Sequence, residues 1–109
     1  MKSSNIFVYL ELTKFTQNLS LEVSSIKSEL IAQHAYFKII PSNLFSDYLS
    51  ADWNLLCEKV NRLGPVVDSG GRVIINNIKH TIQNMTDTEC FEIALSLQAL
   101  QQKVADEFR

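Results

Sequence analysis

The apolar residues Leu49, Trp53, Leu56, Val60 and Leu63 recur at steps of four, three, four and three, and Gly64 and Pro65 follow at once. Such spacing places one stripe along an α-helix. Glycine then tolerates a left-handed stop, and proline cannot continue the helix. A strand would put these side chains on alternating faces, so the pattern commits this part of the chain to helix packing.

Three other stretches carry the same signal, separated by punctuation at Pro41, Gly64-Pro65, Gly70-Gly71 and Thr86. In residues 4–38, Val8, Leu12, Phe15, Leu19, Val23, Ile26, Leu30 and Phe37 fall within one arc of a 3.6-residue repeat. The reading is one long N-terminal helix. Its outer surface is rich in Thr13, Thr16, Gln17, Ser20, Ser24 and Ser28, which are mediocre helix formers, so packing must hold it. Residues 6–12 also carry enough β-branched and aromatic side chains to read as a strand.

In residues 42–63, Ser42 can cap one short helix and Ser50 another, with Asp52 in its first turn; one helix or two both fit. Ile75, Ile78, Ile82 and Met85 recur at helical spacing after Gly71. Residues 66–75 also suit a short β-hairpin: Val66-Val67 and Val73-Ile74-Ile75 flank Asp68-Ser69-Gly70-Gly71. In the last segment Thr86 and Glu89 have capping-box spacing, and Ile93, Leu97, Leu100, Val104 and Phe108 form a stripe. The fold class expected is therefore all-α or nearly so. Residues 1–109 form a single irregular bundle of four or five helices, with a long N-terminal helix and a possible hairpin near 66–75.

Composition limits the function classes. The chain is 46% hydrophobic and 20% charged, a balance that favours a packed core over disorder. No apolar run approaches the roughly 20 residues needed to span a bilayer. Glu11 interrupts the run at 6–12, so neither an export signal nor a membrane partner is expected. Two cysteines, Cys57 and Cys90, are too few for a disulfide scaffold and are expected as free thiols in the cytoplasm. The net charge is −2, and residues 86–109 hold five acidic and two basic side chains, so the chain lacks the footprint of a general nucleic-acid binder.

His34, His80, Cys57 and Cys90 have the right chemistry for zinc, but no two stand at ligand spacing, so no metal and no cofactor are expected. A cysteine–histidine nucleophile would need the fold to bring the pair together. Glu89 and Glu92 stand one helical turn apart on an acidic face, where solvation explains them better than acid–base work. Arg72 and His80 resemble, in composition, the arginine–histidine pair of HEPN-type helical ribonuclease domains. Seven residues intervene here, more than that motif allows, so no catalytic residue is assigned. Arg72, Lys79 and His80, with Gln83 beside them, are the residues a nucleic-acid-associated regulator would use.

The more informative signal is apolar and off-stripe. Phe7, Leu10 and Leu21 point away from the core arc of the first segment, and Phe91 and Leu95 form an i, i+4 pair off the last stripe. Apolar side chains clustered on the back of an amphipathic helix imply a second buried contact, either with a partner or with another helix of the same bundle. These five residues are the candidate interface of a non-enzymatic protein–protein interaction module. Its classes are adaptor, inhibitor, immunity protein or dedicated chaperone, with another protein or a second copy (a homodimer) as the partner. A small hydrolase or nuclease is the remaining alternative.

Overall fold

A computed structural model describes residues 3–109. Its elements run in order α1 (Ile6–Gln17), α2 (Ile26–Ala32), α3 (Tyr36–Ile39), a 3-10 turn (Ser42–Leu44), α4 (Asp47–Val60), β1 (Val66–Val67), β2 (Val73–Ile75), α5 (Asn77–Gln83) and α6 (Asp87–Asp106). The protein is an irregular all-α bundle with a helix at its N-terminus and a two-stranded antiparallel hairpin.

Residues 6–12 are helix, and the side chain of Asn5 caps them by accepting the Phe7 N–H at 2.8 Å. Val8, Leu12 and Phe15 are fully buried, as their spacing requires. Helix does not run through to residue 38, however. It stops at Gln17 and restarts at Ile26 and Tyr36. Thr13 and Thr16 turn their hydroxyls back onto the carbonyls of Tyr9 and Leu12, a bond that weakens a helix end. The Ser20 N–H and hydroxyl donate to the Glu29 carboxylate, and Leu21 takes a left-handed φ of 60°. These bonds hold Glu29 below its usual pKa range, chiefly through the Ser20 backbone. Val23, expected in the core arc, falls in this turn and is 48% exposed.

In α4 the stripe Leu49, Trp53, Leu56 and Val60 is buried. The helix ends at Val60, ahead of the glycine–proline pair, with Asn61 at its C-cap. Leu63 is thus outside the helix and half-buried, and its N–H donates to Thr81 Oγ1. Residues 42–63 form one helix after a short turn. Ser42 opens that turn, Ser46 holds the N-cap position, and Ser50 lies inside α4 with its hydroxyl on the Asp47 carbonyl.

The hairpin pairs Val66 with Ile75 and Val67 with Val73, so Ile74 is an extra residue, a β-bulge. Gly71 supplies the positive φ of the connection, and Asp68 Oδ1 accepts the N–H groups of Gly70 and Arg72. Ile75 is therefore strand, and α5 starts at Asn77, capped by Asn76. Ile78 and Ile82 are buried beneath it, and Met85 just beyond its end.

The 20-residue α6 packs against α1, α2 and α4 and buries Ile93, Leu97, Leu100 and Val104. Phe108 lies past its end, half-exposed against the Tyr9 ring at 5.2 Å. Both bonds of the capping box form, Glu89 N–H to Thr86 Oγ1 and Thr86 N–H to Glu89 Oε1, each at 3.0 Å. Thr86→Ala removes one of them and is expected to cost about 1 kcal/mol in a denaturant melt. A loss below a few tenths would mean that α6 holds its first turn without the box.

Candidate functional site

Of the five residues singled out on the outer faces, three are exposed and two are half-buried. Phe7 and Leu10 are exposed on α1 and share that face with Ile6. Leu21 sits in the 18–25 turn and packs half-buried against the core, as does Phe91 on α6. Leu95 is 46% exposed on α6.

Leu95 lies beside a groove between α4 and α6, and the sequence reading missed the other wall of that groove. On α4, Asp52, Leu55, Leu56 and Lys59 line it at i, i+3, i+4 and i+7; on α6, Glu92, Leu95, Ser96, Ala99 and Lys103 do so. Such spacings put each set on a single helical stripe. Two clefts of about 220 and 530 Å³ share Lys59 and Ser96 and so lie next to each other along the α4–α6 seam. Leu56, Ile93 and Leu100 form a buried apolar floor, while Leu55 on the rim is 56% exposed. Ion pairs bridge the groove near both ends: Lys103 to Asp52 at 3.5 Å and Arg62 to Glu89 at 3.9 Å. Leu55 was findable in the sequence, since it stands off the α4 stripe as Leu95 stands off that of α6.

The histidines take part in closing the fold. His34 Nδ1 donates to the Ile31 carbonyl at 2.7 Å and its Nε2 accepts from the Asn76 amide at 3.0 Å. Asn76 Oδ1 in turn caps α5 through the Lys79 N–H, so this chain of bonds ties α2 to α5. His80 Nδ1 donates to the Gly64 carbonyl at 2.6 Å. Thr81 Oγ1, buried beside it, accepts the Leu63 N–H and donates to Asn77. Together these bonds hold the 61–64 connection against α5.

Burial pushes the half-buried Cys57 thiol up to about 11 and raises Cys90 as well, so neither is poised as a thiolate at neutral pH. Among the described residues, no group of three or more His, Cys, Asp or Glu side chains is placed to hold a metal ion. Arg72 is on the hairpin, whereas Lys79 and His80 are on α5, and the His80 ring is already engaged with the connection. No helix among the described residues is long and apolar enough to cross a membrane.

Comparison with protein-family models, with curated proteins and with solved structures finds no significant match to this chain.

Proposed function

We propose that this protein is a small protein–protein interaction module that works by occupying a partner's surface, as an adaptor, inhibitor, immunity protein or dedicated chaperone does. The observation that carries this reading is the α4–α6 groove. It combines a buried apolar floor, two large exposed leucines and a charged rim, the anatomy of an interface with an apolar centre and a polar edge. The reading is non-enzymatic, in keeping with two thiols that burial holds in the protonated form. It is also cytoplasmic, in keeping with two free cysteines. A second copy of the chain is one form the partner could take, and the Ile6, Phe7 and Leu10 face of α1 is a second surface for such a homodimer.

The test is a paired capture from the native cell, with wild-type protein and the double variant Leu55→Asp/Leu95→Asp as baits. Both side chains are largely outside the core, so the variant is expected to keep its melting temperature within a few degrees. It is expected to lose a partner that the wild type holds at stoichiometric yield, because an unpaired carboxylate buried in an interface costs several kcal/mol. Identical capture by the two baits would remove the groove from the interface.

A further inference from the structure

We infer that the occupant of the α4–α6 groove is an amphipathic α-helix from a partner protein, with an acidic side chain against Lys59 on one edge and a basic one against Glu92 on the other. The inference rests on the interaction reading above and adds the chemistry of the partner.

Charge is the first support. Asp52 and Lys103 satisfy each other, as do Arg62 and Glu89. Lys59 and Glu92 lie between those two bridges, and neither has an ion-pair partner among the described residues. Both are exposed, and Lys59 lines both clefts. The middle of the groove thus presents a cation on the α4 wall and an anion on the α6 wall. A bound helix with one acidic and one basic edge satisfies both in a single orientation, and its reverse sets like charges together.

Shape is the second support. Between the two bridges the α6 lining runs from Glu92 to Ala99, about 10 Å at roughly 1.5 Å per residue, the two turns that carry the i to i+7 anchors of a docked helix. Ser96 and Ala99 are small and exposed on the α6 wall, which lets a backbone come close. Leu55 and Leu95 stand on opposite walls, where they can grip the i, i+3, i+4 and i+7 anchors of a docked helix.

The test uses a displayed library of stapled 14-residue helices, with leucines fixed on one face and both flanking edges randomised. Baits are the wild type, Lys59→Glu, Glu92→Lys and Leu55→Asp/Leu95→Asp, each checked by thermal melting. Wild type is expected to enrich Asp or Glu on one edge and Lys or Arg on the other. A selected peptide is expected to bind Lys59→Glu at least tenfold more weakly, and to recover when its acidic residue is changed to lysine. Glu92→Lys is expected to invert the preference on the other edge alone. Binders that show no charge preference, or that the swap does not rescue, would overturn the inference and leave the groove as an interaction surface. No binder above the double-leucine control would overturn both. A wild-type dimer in light scattering that Leu55→Asp dissociates would replace the partner helix with a second copy.

Discussion

Trp53→Ala is expected to lower the free energy of unfolding by about 3–5 kcal/mol, at the upper end for a core truncation. The indole is 1% exposed and lies between the Phe37 and Phe45 rings, with centroids at 5.7 and 5.4 Å. Its Nε1–H donates to the Ile40 carbonyl at 3.0 Å. Alanine empties that space and leaves the carbonyl without its donor, which alone costs about 1–3 kcal/mol where the group is buried. One side chain here joins α4 to α3 and to the turn that leads into α4. A domain of this size has about 5–15 kcal/mol to lose, so the variant is expected to be marginal at 37 °C. Trp53→Phe keeps a ring and gives up the hydrogen bond, and is expected to lose less. Urea melts of both variants are the measurement. A loss under about 1 kcal/mol for alanine would show that the aromatic layer is not the centre of the core.

The helical stripes of α4 and α6 were legible because their signals are local. Trp53 and Leu56, or Leu97 and Leu100, must face the same way whatever else the chain does, and Thr86 and Glu89 state their own boundary. The hairpin was legible as an alternative because Asp68 and the glycines carry its turn chemistry. The break after Gln17 was not. Ile26 and Leu30 continue the phase of Val8, Leu12 and Phe15 by coincidence, since each short helix buries a stripe of its own. What stops α1 is a set of small competing bonds, with Ser20 held by a carboxylate nine positions on. Periodicity cannot register a bond of that kind.

The same limit governs the site. Leu95 was found because an off-stripe leucine is visible along a single helix. Periodicity alone puts Leu21 on the outer face of an unbroken helix, whereas it lies in a turn against the core. Leu55 stands off its own stripe as Leu95 does, but the groove exists only because α4 and α6 lie side by side, so that the two leucines and Lys59 line one groove is legible only in the tertiary structure. His80 shows the converse. Its neighbours in sequence point to nucleic-acid binding or catalysis, while its partner is the carbonyl of Gly64, brought to it by the fold.

Phe15→Ala is expected to destabilise the fold by about 3–5 kcal/mol and to loosen the joint that the broken N-terminal segment creates. On a continuous helix Phe15 and Phe37 would stand about 33 Å apart at roughly 1.5 Å per residue. In the folded chain their ring centroids are 5.1 Å apart, edge to face, and Tyr36 stacks on Phe15 at 5.0 Å. Each such pair adds about 0.5–1.5 kcal/mol beyond the area it buries. Phe15 is fully buried, and these contacts close α3 back onto α1. The alanine variant is therefore expected to lose near-ultraviolet circular dichroism from Tyr36 as well as stability. Phe15→Leu refills much of the volume without the ring contacts, and is expected to recover more of the stability than of that signal. Urea melts and near-ultraviolet spectra on the two variants separate packing volume from ring geometry. If Phe15→Ala melts within 1 kcal/mol of wild type with its aromatic spectrum intact, contacts other than these rings hold α3 against α1.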